Sequence, residues 1–533
     1  MKNDILKNKF YLYLTEFFSG VSVMAVELAA SRFMAPYFSS SQIVYTIIIG
    51  TVMIAMALGN LYGGKTADRN PDPAILYRRM LAAAAWIAAI PLLGRYVILA
   101  ISGILVISVN TNFLTIAAFA ACIIIFVYPL FLLGTVTPSL VRYIMEDASQ
   151  SGEIVGRLGA CNTIGSIIGT FLPTFVTIPA VGTAATFIIF SSVLAVISLA
   201  YFISARKIGK TSILLLIIII LCIFFGSGVS FAFWEDGLEY EGESVYNYLQ
   251  VNEDDRQTVL STNVLFGVQS VKMKEEGLTG MYYDYALAAP AMTEPASGDR
   301  LKILILGNGT GTFATQCARY YPGSEIDAVE IDGKISELAY EYFDMSRDIN
   351  LSEYDGRAYL NAIDKKYDVI LVDAYQDITI PFQMSSVEFF TLVREHLNEN
   401  GIMIVNMNMH SDGNESINAY LTDTIASVFK YVYSADVPLN SNREVFACAG
   451  RDPKDALGAS PFFEDGSELG TQLGKIYARM ISCKGGSRIL TDDKAPVEVL
   501  GMQMIDKLIN EELAYYKDIY KTQGLNALIN SLL

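Results

Sequence analysis

The stretch Leu301-Lys-Ile-Leu-Ile-Leu-Gly-Asn-Gly-Thr-Gly311 places a short apolar run directly before three closely spaced glycines. Four to eight mostly apolar residues that end in a turn are typical of a buried strand. Glycine lets the backbone turn tightly and approach a ligand without a clash at Cβ. The stretch therefore predicts a strand that leads into a ligand-binding loop.

The residues that follow this loop alternate between apolar strands and helical segments. The predicted strands are 301–306, 325–331, 368–373 and 401–407, and the predicted helices are 312–321, 333–344 and 386–398. Such alternation predicts a parallel sheet with helices on both faces. Ligands of these sheets bind beyond the carboxyl ends of the strands. We therefore expect the functional site where these strands end.

Acidic residues stand at those strand ends. Glu330 and Asp332 end the second strand about 20 residues after the glycine loop, where a carboxylate suits the hydroxyls of a ribose. Asp355 and Gly356 precede a short helix, where a carboxylate can accept from an adenine amino group. Asp373 ends the next strand and is either a helix or loop cap or a functional acid, and its place beside the site favours the second. The loop lacks the later glycine of the dinucleotide fingerprint, which favours an adenosyl-sulfonium ligand over NAD.

The first 233 residues carry a different pattern, in which long apolar runs follow one another. A helix needs about 20 mostly apolar residues to cross a hydrocarbon core of roughly 30 Å. Predicted spans lie near 10–32, 41–63, 75–94, 114–140, 156–179, 183–204 and 211–232. The apolar stretch 95–112, which Arg95 interrupts, is either an eighth span or a helix in the membrane interface. We expect a multi-pass protein of the cell membrane, with the lipid bilayer as a partner.

Charge divides the chain at the same place. Residues 1–233 hold 14 Lys and Arg against 8 Asp and Glu, a net charge of +6, and the remaining residues carry −23. An acidic domain argues against nucleic acid as a partner, because binding phosphates requires Lys and Arg patches. Basic clusters belong on the cytoplasmic side, which with seven spans places the soluble domain outside. A cytosolic cofactor favours an even number of spans, so the sequence leaves the side of the soluble domain open.

Few other residues suggest further chemistry. The chain has two histidines, and its six cysteines lack zinc or redox spacing, so we expect no metal site and interpret the cysteines as small apolar residues. Glu27 and Arg32 lie in the first predicted span, where an ionisable group is costly. They indicate either a polar path for a cation or a structural pair.

Several segments around the glycine loop resemble one enzyme family. The string from Ile303 through Asp373 is similar to the spermidine synthases, which are polyamine aminopropyltransferases. Upstream, Glu243-Ser-Val-Tyr246 is similar to the E-S-x-Y of the small N-terminal β-domain of that family. Phe266-Gly-Val-Gln269 resembles its G-x-x-Q segment, and Tyr282-Tyr-Asp-Tyr resembles its Y-H-E segment. With the helical part and Leu490-Thr-Asp-Asp-Lys-Ala-Pro-Val-Glu498, the chain resembles the membrane-fused branch of the family.

The resemblance implies a multi-pass α-helical membrane bundle fused to a Rossmann-like α/β domain of the S-adenosylmethionine methyltransferase type, with a small N-terminal β-domain. The expected parts are a bundle of about seven helices over 1–233, the β-domain over 234–295, the Rossmann-like aminopropyltransferase domain over 296–460 and a C-terminal extension over 461–533. The tail 505–533 has the amphipathic pattern of a helix pair and packs either on the core or on a second copy of the chain, so a homodimer stays open.

The resemblance also implies transfer of an aminopropyl group from decarboxylated S-adenosylmethionine to an amine such as putrescine. In that family a primary amine attacks the carbon beside the sulfonium, and methylthioadenosine leaves. Asp373 matches the base that holds and deprotonates the amine. The residues expected at the cofactor are Gly307, Gly309, Thr310, Gly311, Glu330, Asp332, Asp355 and Gly356, and those expected at the amine are Gln269, Tyr282, Tyr375, Gln376 and Asp377.

Two positions depart from the family pattern. The fourth loop residue is aspartate in the family and Thr310 here, and the strand tip reads Asp373-Ala-Tyr-Gln376 in place of D-S-S-D. The loop aspartate of the family faces the ammonium end of the cofactor, and it repels the carboxylate of intact S-adenosylmethionine. Thr310 does neither. The pocket therefore either discriminates poorly against the intact cofactor or takes an acid from elsewhere, with Asp377, Asp492 and Asp493 as candidates.

Two alternative functions follow from these departures. One is a methyltransferase that uses S-adenosylmethionine. The other is a non-catalytic polyamine transporter or sensor with a degenerate binding domain. Product analysis separates the enzymes, since methylthioadenosine marks aminopropyl transfer and S-adenosylhomocysteine marks methyl transfer.

Overall fold

A computed structural model describes residues 5–38, 41–108, 112–145, 151–226, 228–232, 235, 237–263, 268–293, 300–375, 380–408, 413, 415–438 and 441–524. Up to residue 226 the described chain is helical. After the short 3-10 helix Ile5–Lys7, its helices are α1 Lys9–Phe38, α2 Gln42–Arg69, α3 Pro73–Ser108, α4 Phe113–Gly134, α5 Val136–Ile144, α6 Ser151–Leu172, α7 Ile178–Ala205 and α8 Lys210–Gly226. Helix α1 packs against α6 and α7, α2 packs against α4, and α3 contacts α4, α7 and α8.

Five helical runs among the described residues are long and apolar enough to cross a membrane. They are Lys9–Phe38, Gln42–Arg69, Pro73–Leu105, Phe113–Ile144 and Gly152–Ala205. The last run contains two of the predicted spans. The π-helical turn Pro173–Thr177 lies within the first of them, and the run bends between them at Gly182, whose φ is +81°. The final predicted span contains the shorter apolar helix α8.

The stretch that begins at residue 95 differs from the prediction. Residues 95–108 continue α3 without a break, so they form neither a separate span nor an interfacial helix. The charge of Arg95 does not interrupt the helix because it finds partners: the guanidinium donates to the carbonyl of Ser230 at 2.6 Å and lies 4.8 Å from the ring centre of Tyr96. A charged side chain with such partners is tolerated on a long apolar helix.

A small antiparallel sheet follows the bundle. Its strands run in chain order as β1 Leu238–Glu243, β2 Tyr248–Glu253, β3 Gln257–Ser261 and β4 Ser270–Met273. Two single-turn helices, α9 Tyr283–Ala286 and α10 Ala288–Ala291, lead from it to the large domain. Buried Leu249, Val251 and Leu260 of this sheet pack against Leu338 and Phe343 of the large domain, so the two parts share a core.

The large domain is a mixed eight-stranded sheet with helices packed against it. Its strands are β5 Lys302–Leu306, β6 Glu325–Glu330, β7 Asn350–Glu353, β8 Tyr367–Val372, β9 Leu397–Met407, β10 Tyr431–Asp436, β11 Arg443–Cys448 and β12 Ile481–Ser482. Its helices are α11 Thr312–Tyr320, α12 Gly333–Tyr342, α13 Gly356–Ala362, α14 Val387–Glu395, α15 Ile417–Val428, α16 Pro453–Gly458, α17 Glu468–Arg479 and α18 Val497–Gln523, and Phe382–Met384 is a 3-10 turn.

The order of the strands is β12-β10-β11-β9-β8-β5-β6-β7. The five strands β9, β8, β5, β6 and β7 are parallel, as the alternating pattern predicts. Beyond these predicted strands the sheet becomes mixed, because β11 inserts antiparallel between β9 and β10. The short link from β10 to β11 makes a hairpin, which requires antiparallel strands. Because β12 pairs with β10, the sheet extends past residue 460 into the segment expected as a C-terminal extension.

The turn between β1 and β2 joins the small sheet to the helical bundle. The carboxylate of Glu243 accepts from the backbone N–H and the hydroxyl of Thr183 in α7, both at 2.6 Å. Arg32 of α1 donates to the carbonyl of Val245, so this side chain of the first predicted span binds the soluble part of the chain. Farther along, the Glu241 carboxylate accepts from the Phe231 N–H and the Tyr248 hydroxyl, both at 2.7 Å.

Candidate active site

A cavity of about 330 Å³ opens where β5, β6 and β8 end. Its wall includes nine of the residues that the sequence singled out: Gln269, Tyr282, Gly307, Gly309, Glu330, Asp355, Gly356, Asp373 and Tyr375. The small sheet closes one side with Tyr246, Asn247 and Thr262. The cavity therefore lies at the carboxyl edge of the parallel strands, where ligands of such sheets bind.

The glycine loop packs tightly against its surroundings. Gly307 has φ +89°, and a Cβ there would stand 2.4 Å from the carbonyl oxygen of Asp373 on the neighbouring strand end. Gly309 has φ +53°, and its Cβ would stand 2.5 Å from the Ser270 hydroxyl. Both positions therefore require glycine for a positive φ and for a close approach. Gly311 follows as the N-cap of α11 and does not line the cavity.

The carboxylate of Glu330 is held by backbone groups. Its Oε2 accepts from the N–H of Gly309 at 2.8 Å, and its Oε1 accepts from the N–H of Asp332 at 3.1 Å. Burial raises the pKa of Glu330 from its ordinary value of 4.5 to about 7, while these N–H groups act in the opposite direction. The chain thus presents a buried, fixed acceptor at the end of β6.

The other residues expected at the cofactor divide into two groups. Asp355 caps α13 by accepting from the Ala358 N–H at 2.8 Å and also faces the cavity with Gly356. Asp332 does not line the cavity, because its oxygens are used by the N–H of Lys334 at 3.1 Å, the Ser244 hydroxyl at 2.6 Å and the Asn247 amide at 2.9 Å. Asp332 therefore holds the small sheet in place beside the cavity.

Thr310 also lies behind the cavity wall. Its N–H donates to the Ser270 hydroxyl at 3.2 Å, and its own buried hydroxyl has no hydrogen-bond partner in the described part of the chain.

Asp492, a candidate to replace the loop acid, is held by two bonds of 2.7 Å from Arg357 and one of 2.5 Å from Ser386, away from the cavity wall. Asp493 is exposed and does not line the cavity either.

The carboxyl of Asp373 is held by side chains. The Tyr282 hydroxyl donates to Oδ2 at 2.6 Å, and the Asn406 amide donates to Oδ1 at 2.8 Å. Burial raises the pKa of Asp373 from its ordinary value of 3.8 to about 7, and both donors lower it in part. Burial and the nearby Asp373 charge raise the pKa of Tyr282 well above 10, so its phenol remains a donor. Asp373 forms no ion pair with a described Lys or Arg, so an added cation at the cavity would face an uncompensated carboxylate.

Two further residues expected at the amine line the same cavity. The Tyr375 hydroxyl donates to the carbonyl of Asn406 and accepts from the Asn408 N–H at 3.2 Å. The backbone carbonyl of Gln269 accepts from the Tyr283 hydroxyl at 3.0 Å. Gln376 and Asp377 lie outside the described residues.

The structure also brings in residues that the sequence reasoning missed. Asn406 bonds Asp373 from the end of β9, and the rule that found Asp373 applies to it equally, because it too ends a buried parallel strand. Asn308 lines the cavity inside the glycine loop, and its buried Oδ1 has no hydrogen-bond partner in the described residues.

Comparisons with known proteins identify the family of the chain. The spermine/spermidine synthase domain family matches residues 282–447. A probable polyamine aminopropyl transferase of Bifidobacterium longum is 51% identical over 351 residues, which cover 63% of this chain and 78% of the relative. The chain belongs to the polyamine aminopropyltransferase family. A polyamine aminopropyltransferase of Vibrio vulnificus is 27% identical over 224 residues, or 40% of this chain and 73% of that relative.

Membership of the aminopropyltransferase family makes the protein a transferase of the spermidine synthase type, with a role in polyamine biosynthesis. The solved structure of a probable spermidine synthase from Corynebacterium glutamicum matches with a TM-score of 0.37 and 18% identity, over 52% of this chain and 93% of that one. The residues matched to the family domain include the cavity residues Tyr282, Gly307, Gly309, Glu330, Asp355 and Asp373.

Proposed function

We propose that the protein is a membrane-anchored aminopropyltransferase that transfers the aminopropyl group of decarboxylated S-adenosylmethionine to an amine such as putrescine, with Asp373 as the base. The observation that carries the proposal is the buried carboxyl of Asp373, which has no described cationic partner and lies in the same cavity wall as the carboxylate of Glu330. Asp373 suits a cationic amine, and Glu330 suits the hydroxyls of a ribose.

The residues of the wall fit the adenosyl part of this co-substrate. Glu330 offers an acceptor oriented by two backbone N–H groups, and Gly309 leaves space beside it. Asp355 stands farther along the same edge, after β7, where it can accept from an adenine amino group. These acidic groups also favour a cationic sulfonium over a neutral ligand.

Asp373 can hold the attacking amine and take its proton. A protonated amine has no lone pair, so it must lose a proton before it can form a bond to carbon. With a pKa raised to about 7, Asp373 accepts that proton more readily than an ordinary aspartate would. The amine nitrogen then bonds to the carbon beside the sulfonium, the carbon–sulfur bond breaks, and its electron pair stays on sulfur as methylthioadenosine leaves.

The loop position of Thr310 bears on the choice of co-substrate. Its side chain is uncharged and lies behind the wall, so the loop places no carboxylate against the carboxylate of intact S-adenosylmethionine. We therefore expect intact S-adenosylmethionine to bind as a competitive ligand. This feature also favours methyl transfer as the second candidate function, because a methyltransferase must accept the intact cofactor.

Membrane anchoring is supported by the outer surface of the bundle. Large apolar side chains are exposed there, among them Met53 at 66%, Leu61 at 66% and Phe224 at 77%. A water-soluble protein seldom exposes large continuous apolar surface. The match to the Bifidobacterium longum relative covers 63% of this chain, more than the 300 residues that follow residue 233, so part of the bundle is shared with that relative.

Product analysis of the full chain in lipid nanodiscs tests the proposal. With decarboxylated S-adenosylmethionine and putrescine, we expect methylthioadenosine and spermidine in equal amounts. S-adenosylhomocysteine from intact S-adenosylmethionine and the same amine would instead identify a methyltransferase. Binding of the adenosyl compounds without any product would contradict both enzymes. Separation of a cell lysate into membrane and soluble fractions tests anchoring, since the chain should remain with the membranes after a carbonate wash.

A further inference from the structure

A second cavity lies behind the wall of the candidate active site. It has a volume of about 250 Å³ and lies where helices α1 and α2 meet the turn between β1 and β2. Three described residues line both cavities, namely Tyr246, Asn247 and Thr262. These residues therefore stand between the helical bundle and the place where the co-substrate is expected.

The second cavity contains a cation without a carboxylate partner. Arg32 of α1 is half-buried in its wall, and its guanidinium donates to the backbone carbonyl of Val245. This bond leaves further N–H groups of the guanidinium to donate. Among the described residues, no Asp or Glu forms an ion pair with Arg32. Glu243 lines the same cavity, but its two carboxylate oxygens accept from Thr183, each at 2.6 Å. A half-buried guanidinium with spare donors and no countercharge favours an anionic ligand.

Hydroxyl groups surround the same cavity. Tyr45 of α2 lines it, and within the described chain its hydroxyl makes no hydrogen bond. Ser41, which precedes α2, also lines it, and its oxygen accepts from the Val44 N–H at 3.3 Å, so its O–H is left to donate. A guanidinium beside hydroxyl donors is an arrangement that binds phosphate oxygens.

The position of the cavity in the bundle suits a phosphate that a lipid carries. Arg32 lies less than about two turns before the end of α1 at Phe38, and Tyr45 lies in the first turn of α2. In a bundle that spans a bilayer, the helix ends lie at the level of the lipid headgroups. Farther along α2, Met53 and Ile54 are exposed and offer an apolar surface to acyl chains. A phospholipid therefore fits both the polar cavity and the apolar surface, whereas a water-soluble phosphate fits the cavity alone.

We propose that this cavity binds the phosphate group of an anionic phospholipid, which pairs with Arg32 and accepts from the Tyr45 hydroxyl. The inference rests on the proposed membrane anchoring. Val245, whose carbonyl Arg32 holds, directly precedes Tyr246, so the lipid is bound next to the wall of the candidate active site. Phosphatidylcholine carries the same phosphate, but its own ammonium group competes with Arg32. Phosphatidylglycerol should therefore bind more tightly than phosphatidylcholine.

Lipid binding to the full chain in dodecyl maltoside micelles tests the proposal and requires no turnover. Titrations followed by native mass spectrometry should show one phosphatidylglycerol bound at least about tenfold more tightly than phosphatidylcholine. Arg32→Gln removes the charge and should lower the affinity for phosphatidylglycerol at least about tenfold, and Tyr45→Phe removes one neutral donor and should lower it about threefold. Arg69→Gln is the matched control, because Arg69 is exposed in the last turn of α2, at the other end of the same helix, and should keep the parent affinity.

Three outcomes would overturn the inference. One is equal affinity of the parent and Arg32→Gln for phosphatidylglycerol, and another is equal affinity of the parent for the two lipids. The third is displacement of the lipid by an equal concentration of glycerol phosphate, which would assign the cavity to a water-soluble phosphate. Should Arg32→Gln unfold, Tyr45→Phe decides, because Tyr45 has no described side-chain hydrogen bond to lose, and an unchanged affinity would then overturn the inference. Failure of membrane anchoring would appear separately, as release of the chain in the carbonate wash.

Discussion

Two strand ends of the same sheet hold their carboxylates in different ways. Glu330 at the end of β6 is bonded by two backbone N–H groups, whereas Asp373 after β8 is bonded by the side chains of Tyr282 and Asn406. Burial raises the pKa of both acids to about 7. Two acids with the same burial and the same pKa direction can therefore still have different chemical roles.

The kind of donor decides what each acid can do. A backbone N–H is fixed by the loop and strand, so Glu330 is an acceptor with a set direction, which suits recognition of hydroxyl groups. Side-chain donors can rotate away or reorganise when a ligand arrives. Asp373 can therefore exchange a neutral donor for a cationic amine and can gain or lose a proton. The comparison predicts that substitution of Asp373 lowers the rate and that substitution of Glu330 weakens co-substrate binding.

The largest effect is expected for Asp373→Asn. Asparagine keeps the shape of the side chain but cannot take a proton, so turnover should fall about 10²–10⁴-fold, the contribution of a positioned base. Affinity for the adenosyl compound, measured by calorimetry with methylthioadenosine, should stay close to that of the parent. Asp368→Asn is the matched control at the other end of β8, where the acid accepts from the Lys302 N–H and the Asn398 amide. More than a tenth of the parent activity in Asp373→Asn would refute the role as base.

A smaller effect, on binding of the aminopropyl donor more than on rate, is expected for Glu330→Gln. Glutamine presents one acceptor oxygen, so it cannot accept from both Gly309 and Asp332 and also bind a ribose. Losing a charged hydrogen bond costs about 1.5–3 kcal/mol, so the KM for the aminopropyl donor should rise roughly 10–100-fold, with a smaller change in kcat. Glu325→Gln, at the far end of β6, is the control. A fall in kcat with an unchanged KM would contradict the distinction between the two acids.

The smallest effect concerns the pH profile of Tyr282→Phe. Asp373 must be ionised to act as base, so activity falls as the pH drops through its pKa, near 7 in the parent. Removing the Tyr282 hydroxyl removes a bond to the ionised form, so the pKa rises and the acid limb of kcat/KM should move to higher pH by about one unit. Tyr321→Phe removes a buried hydroxyl that bonds Leu287, and it should leave the limb in place. A limb that moves to lower pH in Tyr282→Phe would show that Tyr282 does not stabilise the ionised acid.

The residues near the glycine loop were predictable because local patterns place them. Glu330 ends a short apolar strand, Asp373 follows another, and Asp355 directly precedes a helix. Parallel strands bring their carboxyl ends to one edge of the sheet, so these three acids line the same cavity. Asp332 follows the same pattern yet lies behind the wall, because it caps α12 and bonds Ser244 and Asn247. The sequence pattern gives the edge of the sheet, but it does not distinguish a carboxylate that caps a helix from one that faces the cavity.

The second cavity could not be predicted in the same way. It depends on the contact of α1 and α2 with the turn between β1 and β2, which brings Arg32 to the distant Val245 carbonyl. Only the docking of the small sheet on the bundle brings them together, and no local motif records that contact. In the bundle, likewise, the continuation of α3 through Arg95 depends on the distant Ser230 carbonyl, so the charge alone suggested a break that does not occur.

The turn between β1 and β2 has a practical consequence for work on the isolated enzyme domain. Glu243, the last residue of β1, accepts from Thr183 in α7, and Ser244 next to it bonds Asp332, which lies behind the cavity wall. Removing the helices would take away both described donors of Glu243 and would loosen Ser244, which bonds Asp332 behind the wall of the candidate active-site cavity. A soluble fragment that begins near residue 234 would therefore underestimate the native affinity for adenosyl compounds, and kinetic constants are better measured on the intact chain in a bilayer.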